Sequence, residues 1–275
     1  MAITAGMVKA LREKTGLPMM ECKNALTEAG GDEAQAIEIL RKKGASKMQK
    51  MASREATEGR IACFVDPEKK RAGIVELRCE TAPVATNEDF IKLADAAAQA
   101  TALAEAPTPD SVRDEKLPGD SSQTVGGLLD EVFNRIRENM QIARVAQLCG
   151  NIGVYVHHNS QVGVLIEMSG DCDDDLKADL CMHIAALNPP CLRREDVDQK
   201  DVEEQKAAFA EEAAGKPEPI VEKIVGGKLN RWFSEFVLLE QPFVKDDKQS
   251  VAAVLKAVSP DLTISRFVRF EVGGD

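Results

Sequence analysis

Through the first 44 positions, apolar residues recur at three- and four-residue steps, the spacing of amphipathic helices. Val8 and Leu11 share a face behind Thr4, which suits the N-cap of a first helix. Thr15-Gly16-Leu17 ends it, and Pro18 suits the first turn of a second helix with Met19, Cys22, Leu26 and Ala29 on one face. Gly30-Gly31 stops that helix. Asp32 caps a third, whose inward face is Ala36, Ile37 and Leu40, and Gly44 closes it. Residues 45–58 are basic and polar with no strong apolar face, and read as a linker.

The period then changes to two. Residues 60–65 and 73–79 alternate around a turn at 66–71, which predicts a hairpin. Helices follow at about 88–104 and 124–139, separated by a Pro-, Asp- and Ser-rich loop over 107–122. A second strand pair lies at 153–157 and 162–168, turning at 158–161. A helix over about 173–187 stops before Pro189-Pro190. Two more helices, about 198–214 and 218–232, are joined by Gly215-Lys216-Pro217. A last strand spans 264–272. Hairpin then helices, twice, predicts an α+β protein with antiparallel sheets. It divides into a three-helix module (1–44), a linker (45–58), a first α+β subdomain (59–145) and a second (146–275) with the helical hairpin 198–232 inserted.

The charge balance narrows the partners. The net charge of -11 over 275 residues disfavours a phosphate backbone. The densest basic stretch, 41–50, is a linker face and only a weak nucleic-acid patch. No run of about eighteen apolar residues predicts a membrane span, and no apolar leader begins the chain. The expected setting is cytoplasmic. Seven cysteines without a C-x-x-C pair read as reduced thiols, most of them buried, rather than a disulfide framework or zinc site.

Catalytic chemistry finds no foothold in the pattern. Asp171, Asp173, Asp174 and Asp175 lack the alternation and glycine of a calcium loop, and read as acidic capping of a helix start. The three histidines, His157, His158 and His183, have no ligand spacing, and no phosphate loop or nucleophile elbow occurs. No cofactor or metal is expected. Met19 and Met20 point about 100° apart on a helix. Either both fill the core of a small module, or one is an exposed, adaptable contact. In the helical pair, Val202, Phe209 and Ala213 can meet Ile220, Ile224 and Leu229. That arm either protrudes towards a partner or packs back on the body.

Several segments, in order, resemble bacterial elongation factor Ts. Residues 11–26, with Thr15-Gly16-Leu17-Pro18-Met19-Met20, look like its N-terminal signature. Residues 80–90 look like its exchange loop and the helix behind it. Residues 181–189, 215–243 and 266–273 resemble its later helix, helical hairpin and closing strand. The resemblance implies a protein without covalent chemistry, an exchange factor that binds elongation factor Tu and speeds release of GDP. It implies a ubiquitin-associated-like N-terminal module in which Leu11, Met19 and Met20 contact Tu. It also implies a loop, Thr81-Ala82-Pro83-Val84, that disturbs the Mg²⁺ and phosphate site, and His157 near a contact with Tu's far domain. The arm is implied to make a homodimer or a further contact. The family loop usually reads Thr-Asp-Phe-Val, so a carboxylate and an aromatic ring are absent here. Pro83 fixes its own φ and biases Ala82 to extended backbone, which predicts a rigid wedge acting by shape. The departure also raises an alternative, a divergent Tu-binding regulator with weak exchange. A thiol-dependent enzyme is the reading from another class.

Overall fold

The computed structural model describes residues 2–274, with the backbone alone for Ala45. Thr4 caps α1 (Ala5–Thr15), its hydroxyl accepting from the Met7 amide, and Gly16 ends it in the left-handed conformation. Next come α2 (Met19–Glu28) and α3 (Glu33–Met51), the latter capped by Asp32 as expected. Val8, Leu11, Leu17, Cys22, Ala25, Leu26, Ala36 and Leu40 enclose a core of their own. Gly44 does not close α3. The helix runs on to Met51, so the expected linker is helical over its first half. The buried glycine has another use: a Cβ there would lie 2.3 Å from Asn134 Oδ1 on a neighbouring helix. The basic stretch is also spoken for, since Arg41, Lys43 and Lys47 pair with Glu38, Glu28 and Glu21.

The first hairpin is β1 (Glu58–Asp66) and β2 (Arg71–Cys79). One turn of helix, α4 (Ala82–Ala85), leads to α5 (Glu88–Leu103). The expected loop contains α6 (Pro109–Asp114) and a small hairpin, β3 (Lys116–Leu117) with β4 (Asp120–Thr124). Then come α7 (Val125–Ile136) and a strand the pattern did not predict, β5 (Gln141–Cys149), which completes a sheet in the order β1-β2-β5. The second sheet joins β6 (Asn151–Val156), β7 (Val162–Ser169) and, after α8 (Asp174–Leu187), α9 (Gln199–Glu212), α10 (Glu218–Phe236), β8 (Pro242–Phe243), β9 (Asp246–Ser250) and α11 (Val251–Val258), the last strand β10 (Thr263–Glu271), in the order β10-β7-β6. The acidic run does cap α8: Asp173 accepts from the Leu176 amide.

The sheets are layered between helices. Ala72 and Ile74 on one face of β2 meet Leu165 and Phe270 of the other sheet, with Ile61 and Leu148. Val75, Leu77 and Cys79 on the opposite face pack on Phe90 and Leu93 of α5 and Leu129 and Val132 of α7. Likewise Val164, Ile166 and Met168 pack on Leu180 and Ile184 of α8 and Val251 and Leu255 of α11. Both faces of the central strands β2 and β7 are covered, so their buried positions are mostly apolar, with Glu76 of β2 the charged exception among the fully buried ones. Gly163 permits the closest approach, since a Cβ there would meet Ile61 at 2.4 Å. The arm α9–α10 packs at its base around Val197, Phe233 and Val237, while Ile220 near its turn stays exposed.

Candidate partner-binding surface

Just before α2, Leu17 is buried in the core, and the buried face of the helix itself begins at Cys22. Met19 and Met20 are left 53% and 61% exposed. Both therefore lie at the surface, where the pattern allowed either both in the core or one exposed. Leu11 goes the other way. It is fully buried beneath α2, and offers a partner no surface of its own. Its work is to hold the helices that present the methionines.

Thr81 opens α4, and Ala82 is its first helical residue rather than an extended one. A proline in the first turn is tolerated because the amide it lacks has no intrahelical partner there. Thr81, Ala82 and Pro83 are exposed and Val84 is half-buried. Both oxygens of Glu138 hold the start of the turn: Oε2 accepts from the Thr81 amide at 3.0 Å, and Oε1 from its hydroxyl at 2.7 Å. Two nearby carboxylates are turned elsewhere, while Glu88 is exposed. Glu80 accepts from the Asn139 amide at 2.6 Å and pairs with Arg54 at 3.5 Å, and Asp89 pairs with Arg135. The four residues of the turn, Thr81–Val84, themselves carry no charge.

Arg60 holds the far end. Its Nη1 donates to the Ala85 carbonyl at 3.2 Å and its Nη2 to Ser160 Oγ at 3.1 Å, which ties α4 to the β6–β7 turn. The Ile61 amide donates to the Ser160 carbonyl at 2.7 Å, and Gln161 Nε2 to the Gly59 carbonyl at 2.9 Å, on the same seam. A groove of about 380 Å³ lies between the two turns, lined by Arg60, Ala82, Ala85, His158 and Ser160. Arg60 Nε is buried there without a hydrogen-bond partner. Burial draws the guanidinium pKa down, and Asp95 works against that. Just before the turn, His157 Nδ1 lies 2.8 Å from the Tyr155 hydroxyl, and the ring is half-buried.

Sequence reasoning missed Arg60, Arg137 and Glu138. Arg60 is the third residue of β1, and the alternation there gives no sign of its partners. The last two fell inside what was taken for the final turn of a helix.

Burial holds several of the thiols in their protonated form. Cys22, Cys79 and Cys181 are buried, and Cys149 alone among the described cysteines is exposed. Burial pushes the Cys79 thiol up to about 12, with Glu138 nearby adding to it, and raises Cys63 and Cys181 further. A thiolate nucleophile needs the opposite shift. Among the described residues, no group of three His, Cys, Asp or Glu side chains is placed to hold a metal, and no helix is long and apolar enough to cross a membrane.

Exposed methionines on a small helical core, a braced helical turn and an adjoining hairpin turn define an α+β protein whose candidate site is a recognition surface. Residues 80–274 match the family model described as Elongation factor TS. The chain is 43% identical to Elongation factor Ts of Hydrogenovibrio crunogenus over 277 aligned residues, covering 99% of this chain and 92% of that one. It is 43% identical to Elongation factor Ts of Methylococcus capsulatus over 280 residues, with 99% and 93% covered. Against Elongation factor Ts of Clostridium botulinum strain Eklund 17B the figures are 40% over 284 residues, 98% and 93%. The chain belongs to the elongation factor Ts family.

Proposed function

We propose that the protein is the guanine nucleotide exchange factor for elongation factor Tu in cytoplasmic translation elongation, acting by binding alone. Met19 and Met20 dock on Tu's nucleotide-binding domain from a ubiquitin-associated-like module formed by the first three helices. The turn Thr81–Val84 intrudes on the Mg²⁺ and phosphate site, and the region of His157 reaches Tu's far domain. The arm α9–α10 is a further contact, with Tu or with a second copy of the chain. Two α+β subdomains, 59–145 and 146–275, carry these surfaces.

The reading rests most on the braced turn. A helix of one turn is unstable alone, yet here Glu138 holds one end and Arg60 the other. Exchange is differential binding: a factor that prefers the empty pocket lowers nucleotide affinity by the same ratio. Each tenfold weakening takes about 1.4 kcal/mol of preference. A flexible loop would spend part of that on its own ordering, whereas a held wedge retains it. This is how Ala82-Pro83 can act without the family's carboxylate and ring.

Stopped-flow release of fluorescent GDP from the cognate Tu tests it. Wild-type protein accelerates release, while Pro83→Gly and deletion of Ala82–Pro83 lower the maximal rate with binding retained. Unchanged rates in both variants refute the assignment of the turn. Wild-type binding without acceleration would select the weak-exchange regulator instead.

A further inference from the structure

We infer that Arg137-Glu138-Asn139 is a positioning hub that fixes the docking helix α2 against the exchange turn, with Glu138 as the residue through which it governs exchange; this rests on the exchange reading above.

The hub exists because α7 stops early. Ile136 is its last residue, and Arg137 takes the left-handed conformation, φ 67° and ψ 32°. A non-glycine residue is uncommon there and persists where its surroundings demand it. The reversal sends three consecutive residues to three separate parts of the chain. Arg137 Nη2 donates to Glu21 Oε2 at 2.8 Å, one residue beyond Met20. Glu138 takes the amide and hydroxyl of Thr81. The Asn139 amide donates to Glu80 Oε1, and Asn139 Nδ2 to the Arg54 carbonyl at 2.7 Å, in the segment that links α3 to β1. Asn139 is buried, 4% exposed, so its grip is sheltered from water.

The contacts reach α2, the exchange turn and the segment before β1. Glu21 also accepts from Lys47, which brings α3 into the same cluster. The Thr81 hydroxyl makes no capping bond to its own helix, since Glu138 has it. The orientation of α4 is therefore set from outside, by Glu138 at one end and Arg60 at the other. A partner gripped at Met19 and Met20 meets the turn at one distance and one angle only while this cluster is intact. Loosening Glu138 leaves the docking face whole and lets the turn wander. Docking persists, and the preference for the empty pocket is diluted.

The experiment uses the full chain with cognate Tu carrying fluorescent GDP, and measures release rate against factor concentration for wild type, Glu138→Ala and Glu138→Gln. Glu138→Ala removes both acceptors. The expected result is a maximal rate down about tenfold, equivalent to about 1.4 kcal/mol, with the half-saturating concentration within about twofold of wild type. Glu138→Gln keeps one acceptor and the side-chain volume, and falls between, about threefold down. A merely structural role would lower the melting temperature and raise the half-saturating concentration together. That pattern overturns the inference, as does a wild-type maximal rate in Glu138→Ala. Should Glu138→Ala fail to fold, Glu138→Gln decides alone: a maximal rate equal to wild type overturns the hub. Wild-type protein that does not accelerate release overturns the exchange reading and the hub with it, whereas an active wild type with indifferent variants overturns the hub only.

Discussion

Glu76 is the side chain whose replacement the fold should feel most. It lies on the inner face of β2 with no exposed surface. Its Oε1 accepts from Arg78 Nε at 2.6 Å and from the Gly273 amide at 2.9 Å, and its Oε2 from Arg144 Nε at 2.6 Å. Arg144 also donates to the Glu271 carbonyl and sits 4.7 Å above the Phe270 ring, so the cluster clasps the end of β10 to the first sheet. Glu76→Gln keeps the shape but removes the anion that two guanidiniums share, and turns an amide donor towards one of them. Removing one member of a buried ion pair costs about 3–5 kcal/mol. The two arginine side chains are about a quarter exposed, at 24% and 23%, which places the expected loss at the low end, about 3 kcal/mol. At about 2–4 °C per kcal/mol for chains near this size, calorimetry at pH 7 should find melting about 6–12 °C lower. Burial works against the charge of Glu76, but the hydrogen bonds from Arg78, Gly273 and Arg144 prevail and hold its carboxyl below the usual carboxylate range. A depressed folded value gives stability that is full above the unfolded value, about 4.3, and is lost as pH falls through the folded one. The gap between wild type and variant should therefore persist down to about pH 5 and close in more acid solution. A variant melting within about 2 °C of wild type at pH 7, or a gap indifferent to acid, would refute the reasoning.

Two further outcomes follow from burial. Leu11→Ala should destabilise the first three helices by about 2–4 kcal/mol, whereas Met19→Ala with Met20→Ala should leave melting unchanged and weaken binding to nucleotide-free Tu about tenfold; a Leu11→Ala protein that melts normally but binds poorly, read by calorimetric melting and titration, would reverse these roles. His183 is fully buried, its Nδ1 accepting from the Val244 amide and its Nε2 facing Gln241 Oε1 at 2.9 Å, so it holds its single proton on Nε2. Burial lowers its pKa against a smaller upward pull from Gln241; its contribution is complete above the unfolded value of about 6.5 and lost as pH falls, so the denaturant midpoint should drop between pH 7 and 5.5, and a flat profile that matches His183→Gln would contradict the assignment.

Local pattern carried the elements whose signals are local. Thr4 and Asp32 cap helices where the spacing put them, and both main hairpins follow their alternation. Strand β5 was hidden because a bulge breaks its period: Arg144 pairs with Glu76 but Ile142 with Leu77, leaving Ala143 extra. The strand also carries Arg144 on an inner face, a residue that reads as polar surface until Glu76, 68 positions away, is seen to hold it. Gly44 misled for a related reason. A glycine after a periodic run signals a helix end, but here it makes room for Asn134 on α7.

The surface divided along the same line. The methionines and the Ala82-Pro83 turn stand out in short stretches of sequence, although the exposure of both methionines and the helical form of Ala82 do not follow from those stretches. What braces them cannot be read in place, because Glu138 meets Thr81 across 57 positions, Arg137 meets Glu21 across 116 and Arg60 meets Ser160 across 100. None of these charged residues has a neighbour in sequence that hints at its partner. A contact surface can be encoded locally, since a partner reads only what is exposed. Its rigidity is a property of closure between distant segments, and in an exchange factor rigidity sets how much of the binding free energy reaches the nucleotide. The residues that decide whether this chain exchanges well or merely binds are therefore the ones its local patterns conceal.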